Sequence, residues 1–90
     1  MRLNETVEMM DSADYKERFK AEYAQLVIRY CNLREMLEKW DNDTLKFEPT
    51  CPRSIYNMQI KAMTNYIVVL ETRAVMENID LDDIFNKMNF

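Results

Sequence analysis

The sequence predicts an all-α protein: a long antiparallel helical hairpin with short N- and C-terminal helices, expected to be oligomeric. Three observations carry that expectation. Phe19, Tyr23, Leu26, Tyr30, Leu33, Leu37 and Trp40 follow one another at alternating steps of four and three, the a/d seam of a packed helix. A second long apolar pattern begins just after Pro52. Between them lies a short connection bracketed by Pro49 and Pro52, where the fixed proline φ keeps the chain extended. Two helices of matched length joined in this way lie side by side and antiparallel.

The elements follow in order. Leu3, Val7 and Met10 sit at i, i+4 and i+7, with Asn4 as a candidate cap, so a short N-terminal helix is expected. Asp14 with Glu17 reads as a capping-box start, Asp replacing Ser or Thr. The first long helix spans 14–40, ~40 Å at 1.5 Å per residue. With no glycine in the chain, Asn42 is the candidate for the left-handed position that ends it. The connection covers 41–52; within it Leu45–Glu48 alternates too briefly for a sheet. The second long helix spans 54–78, its inner face read as Ile55, Met58, Ala62, Tyr66, Val69 or Leu70, and Ala74. A last helix, 81–89, carries Leu81, Ile84, Phe85 and Met88. The whole, 1–90, is one domain.

Both long helices carry more apolar residues than a two-helix hairpin uses. Ile60, Met63, Ile67, Val68, Val75 and Met76 lie outside the inner face assigned to the second helix, and Ala24, Ile28 and Cys31 form a second line on the first. A helix apolar over so much of its circumference is buried on two sides. The second side faces the terminal helices, another protomer, or both. A chain of 90 residues is short enough for association to be a usual source of stability.

Composition excludes several function classes. There is no histidine, which removes the commonest metal ligand and general base at neutral pH. There is no glycine, which removes glycine-rich phosphate loops and the nucleophile elbow. No enzymatic activity and no cofactor are therefore expected. Cys31 and Cys51 lack zinc-site spacing and read as free thiols, or as a redox pair if the connection folds back. The net charge of −4, from 12 basic and 16 acidic residues, disfavours DNA as a partner. Met1–Met10 carries Asn4, Glu5 and Glu8 where a signal peptide would be apolar. No run approaches the ~20 apolar residues of a membrane span. A cytoplasmic location, away from membranes, is expected.

A small anion remains compatible with this charge, since two or three placed cations hold one. Arg53, Asn57, Lys61 and Thr64 form one polar stripe that starts at a helix N-terminus, where free N–H groups accept anions. Tyr56 and Asn65 flank it, and Gln59 borders the apolar face. The stripe is either an anion site or an ordinary solvated face. In the first case Arg53 and Lys61 hold phosphate, Tyr56 stacks on a base, Gln59, Thr64 and Asn65 read polar edges, and Asn57 belongs to the same site. Arg73 reads either as a surface partner of Glu77 or as a cation facing the hairpin seam.

Glu22–Leu26 (E-Y-x-Q-L), Cys51-Pro52, Gln59–Met63 (Q-x-x-A-M), and Tyr66, Leu70 and Arg73-Ala74 together resemble a family of small proteins related to crAss-like phages. Their hairpin is in turn similar to that of phage anti-CBASS and anti-Thoeris proteins. The resemblance implies an anti-defence protein, acting in the cytoplasm of an infected bacterium. As a helical homo-oligomer it would bind and sequester a cyclic oligonucleotide or a cyclic ADP-ribose-type signal, without catalysis. The alternative is a phage inhibitor or adaptor that binds a host protein through its acidic helical surface.

Overall fold

A computed structural model describes residues 1–88 of the chain. It is 74% helical, and no strand occurs among the described residues. A 3₁₀ turn at Leu3–Thr6 runs into α1 (Val7–Met10); α2 (Tyr15–Asp41), α3 (Arg53–Met76) and α4 (Asp82–Met88) follow. The expected end of the last helix at residue 89 lies outside the described residues. Pairings across α2 and α3 run in opposite order, with Tyr15 on Glu77 near one end and Trp40 on Tyr56 near the other. The hairpin is antiparallel, as its sequence predicts.

Helix ends follow local chemistry. Asp14 caps α2, its carboxylate accepting from the Lys16 N–H at 2.9 Å. The reciprocal bond comes from Ser12, whose hydroxyl accepts from the Asp14 N–H at 3.0 Å; the capping box expected from Glu17 is not used. The left-handed residue after α2 is Asp43 (φ 57°), not Asn42. Thr44 N–H then reaches Lys39 C=O at 2.9 Å, and Asp43 N–H reaches Trp40 C=O at 3.2 Å, the two bonds of a Schellman end. The same device ends α3. Asn78 is left-handed (φ 58°), so the helix stops two residues short of the predicted 78. Ile79 N–H bonds Ala74 C=O at 2.8 Å, which turns the buried Ile79 into the core. Asn4 caps nothing and lies inside the first turn.

The core gathers Phe19, Tyr23, Ala24, Val27 and Ile28 from α2 with Leu70 and Ala74 from α3. Ile79, Leu81 and Ile84 complete it. α1, α3 and α4 each pack on α2. The terminal segments thus cover α2, where Ala21 and Ala24 are fully buried and permit close approach. Thr6 is fully buried as well; its hydroxyl donates to Leu3 C=O at 2.6 Å and accepts from the Gln25 amide at 2.9 Å. Leu3 and Met9 pack on the core, whereas Val7 and Met10 of the expected N-terminal stripe are exposed.

α3 is mounted differently from the sequence reading. Its inward seam is Tyr56, Ile60, Met63, Ile67, Leu70 and Ala74, all half-buried or buried, again at alternating steps of four and three. Of the predicted inner face only Leu70 and Ala74 point inward; Ile55, Met58, Ala62, Tyr66 and Val69 are exposed. Both lines have helical period, and the seam that wins is the one ending in the two residues seated on α2. Around that seam, polar contacts fix the register. Tyr23 donates to Glu71 at 2.8 Å, and Tyr66 donates to Glu22. Arg73 lies over the Phe19 ring at 5.0 Å and bonds both Glu77 (3.0 Å) and Tyr15 (2.7 Å). It is therefore both a surface partner of Glu77 and a cover for the seam.

Two outcomes test this core. Leu70→Ala should cost ~2–5 kcal/mol in urea unfolding, while Val75→Ala, at a site 78% exposed, should change stability by less than about 0.5 kcal/mol. The Tyr23 hydroxyl is held far above its ordinary 10 by burial first and by Glu71 second. Because the folded state keeps this proton more tightly than the unfolded chain, its contribution is complete below pH 10 and falls as pH rises above it. Stability should hold from pH 7 to 9 and decline beyond about 10, and Tyr23→Phe should flatten that decline.

Candidate functional site

The two ends of the hairpin differ. At the α1/α4 end, side chains are used in packing. At the other end Leu37 is buried, but Leu33, Met36, Trp40, Tyr56, Ile60 and Met63 are only half-covered. Polar groups of the last turns of α2 and the first turns of α3 converge here.

Pro52 opens α3 with φ −62° and leaves Arg53 as the first helical residue. The Arg53 guanidinium makes three hydrogen bonds to two partners. Its Nε donates to Asn57 Oδ1 at 3.1 Å, Nη2 donates to Asp41 Oδ2 at 3.2 Å, and Nη1 donates to Asp41 Oδ1. The group also lies 5.5 Å over the Trp40 ring. Trp40 meets Tyr56 edge to face, 5.9 Å between centroids at 80°. Hydrogen bonding to Arg53 pulls the Asp41 carboxyl below its ordinary range. Arg34, Leu37, Glu38, Asp41, Arg53, Asn57 and Ile60 line a cleft of about 120 Å³.

Of the residues the sequence singles out, Arg53, Tyr56 and Asn57 come together here. Lys61 stands one turn further along, exposed, with no hydrogen bond or ion pair among the described residues. Thr64 donates to Ile60 C=O at 2.9 Å within its own helix. Gln59 lies on the other side of the seam, in an open groove of about 400 Å³ with Leu3, Arg29, Asn32, Leu33, Met36 and Met63. Asn65 is exposed and contributes to neither place. The stripe therefore divides into a cluster at its start and single groups beyond it.

The residues missed by sequence reading are Arg34, Glu38, Asp41 and Trp40, all from α2. Arg34, Glu38 and Asp41 stand at steps of four and three, a spacing that places them on one face of a helix. Arg34 is exposed and free of hydrogen bonds and ion pairs among the described residues. Cys31 is half-buried and Cys51 exposed, each a free thiol; burial pushes the Cys31 thiol up. No group of three or more Cys, Asp or Glu able to hold a metal occurs among the described residues. None of the described helices is long and apolar enough to cross a membrane.

Fold and cluster together define a helical-hairpin protein with a small, mixed-charge polar cleft at its open end. A family model, Sequestin, matches residues 13–76. The chain belongs to the Sequestin family, whose name denotes sequestering. The matched stretch takes in α2, the connection and α3, and so contains every residue of the cleft. No curated protein and no solved structure matches the chain.

Asp41 occupies the donors that an incoming anion would use. Asp41→Asn should leave the fold intact and raise the affinity of this cleft for a small phosphate-bearing probe such as pyrophosphate, by up to about fivefold, the ordinary range of an exposed ion pair. Isothermal titration of the two proteins side by side checks it.

Proposed function

We propose that the chain is a phage anti-defence protein that binds a small nucleotide signal of bacterial immunity and holds it without catalysis. The signal class is a cyclic oligonucleotide or a cyclic ADP-ribose-type molecule, and the place of action is the cytoplasm of the infected cell. The observation that carries this reading is the open-end cluster in a Sequestin-family chain. Arg53 is poised on Asn57 and Asp41, Arg34 faces the same cleft, and an aromatic pair stands beside them. A guanidinium gripping a carboxylate with two nitrogens has the geometry it uses for phosphate. A half-covered aromatic ring next to it suits a base.

The cleft alone is too small for such a ligand. Its 120 Å³ falls below the ~300–1,000 Å³ of ordinary small-molecule sites. A nucleotide therefore needs a second wall, and in this reading further copies of the chain supply it, with Lys61 and Asn65 contributing from outside the cleft.

Calorimetry or thermal shift against cyclic di- and trinucleotides and cyclic ADP-ribose products should give binding by at least one of them, with the ligand recovered unchanged. Folded protein with no response across the whole panel would end this reading. Arg53→Ala and Arg34→Ala should each weaken the responding ligand by ~1.5–3 kcal/mol, the range for hydrogen bonds to charged groups, which is roughly 10- to 150-fold.

A further inference from the structure

On the side of the seam away from the cleft lies a groove whose polar groups the hairpin does not use. Arg29, Asn32 and Met36 stand at steps of three and four on α2, and Gln59 and Met63 at a step of four on α3. Each set therefore forms one wall, and Leu3 and Leu33 complete the lining. The space between them is about 400 Å³, inside the ~300–1,000 Å³ of ordinary small-molecule sites. Arg29, Asn32 and Gln59 are exposed, and none has a hydrogen bond or ion pair among the described residues. No carboxylate occurs in the lining among the described residues, whereas Glu38 and Asp41 offset Arg34 and Arg53 in the cleft. In a chain of net charge −4, a guanidinium kept clear of carboxylates is placed for an anion from outside. Leu3, Leu33, Met36 and Met63 are all half-buried, so each still offers apolar surface, and the two thioethers adapt to the face of a flat ring.

We propose that this groove binds an adenine mononucleotide unit, with its phosphate on Arg29 and its base held by Gln59 over Leu33, Met36 and Met63. The inference rests on the nucleotide reading above for its ligand class, and adds a base and a place of contact separate from Arg53. A carboxamide carries a donor and an acceptor side by side. That pair matches the acceptor N7 and the donor N6 of adenine, where guanine presents two acceptors. Gln59 stands on the wall opposite Arg29 and has Met63 one turn beyond it, so base edge and base face are met from the same helix. Asn32 is one turn from Arg29 on the α2 wall, which puts it with the sugar and phosphate. The groove, unlike the cleft, has room for this unit without a further wall.

Isothermal titration of the full chain with AMP, GMP, CMP and UMP, up to millimolar concentration, should show AMP bound most tightly of the four. Gln59→Leu should weaken AMP about 5- to 150-fold, the range of one bidentate base contact, and remove its advantage over GMP. Arg29→Ala should weaken all four nucleotides alike and leave the weaker binding of adenosine where it was. Lys16→Ala removes the same charge about 20 Å away along α2 and should change none of these affinities. Arg29 and Gln59 are exposed, so the far-UV spectra of their variants should match that of the parent chain. No binding of AMP, GMP held as tightly as AMP, or AMP unmoved by Gln59→Leu and Arg29→Ala would each overturn the proposal. Titrating the cyclic panel into the same variants separates the two claims. A cyclic ligand captured by the parent chain and unaffected by both substitutions defeats the groove and leaves sequestration standing. AMP bound as expected with no cyclic ligand captured does the reverse.

Discussion

The rest of the molecule depends on the burial of α2 on two sides. Its first turns bury Phe19, Tyr23 and Ala24 in one core with Leu70 and Ala74, and Ala21 is fully buried beside them. Alanines at those positions matter because a helix can approach another helix, or a 3₁₀ turn, only as closely as the side chains between them allow. The aromatics fill the wider side, where the Tyr23 ring meets Phe85 edge to face at 5.7 Å. α1, α3 and α4 all pack on this one helix. The hairpin is therefore less a symmetric pair of helices than a spine with attachments.

From that asymmetry the location of the cleft follows. Side chains near the α1/α4 end are tied to one another: Tyr15 with Arg73 and Glu77, Lys20 with Asp83 at 3.0 Å, Tyr23 with Glu71. Past Ile28 the apolar residues of the spine other than Leu37 are only half-covered, and polar groups there answer to fewer neighbours. The Arg53–Asp41 pair is exposed on the Asp41 side, so in water it contributes on the order of 0–1 kcal/mol. A contact so weak holds the guanidinium in place without resisting replacement of the carboxylate by a phosphate. Asn57 fixes the guanidinium from below and Trp40 from the face, which lowers the entropy an incoming anion would have to remove.

How much of this was legible depends on which contacts are local. The α2 seam could be read because its apolar period has one solution: every alternative line is interrupted by charge. The N-cap at Asp14 and the Arg53–Asn57 pair could be read because each spans one helical turn. The inner face of α3 could not, because Ile55–Met58–Ala62 and Tyr56–Ile60–Met63 have the same period and the same polarity. Only Leu70 and Ala74, pinned to α2, choose between them. The end of α2 shows a similar degeneracy. Asn and Asp both tolerate the left-handed region, and the choice of Asp43 over Asn42 is made by the reach of the Thr44 N–H back to Lys39. Asp41 and Trp40 escaped the site reading since their bonds to Arg53 cross the connection between the helices.

That ambiguity in α3 has its own physical content. A helix whose sequence supports two apolar lines of heptad period is one that two neighbours can bury. α2 is the first, and it takes only one line. An isolated chain would leave the other in water, at a cost of roughly 25 cal/mol for each Å² of apolar surface. A protein that captures a ligand without transforming it has no turnover to raise its capacity, so affinity and the number of sites must suffice. A cleft of 120 Å³ supplies neither while it stands alone. Covering that second line and walling the cleft are separate demands, because Arg53 and Asn57 stand on the opposite side of α3 from Ile55, Met58 and Ala62.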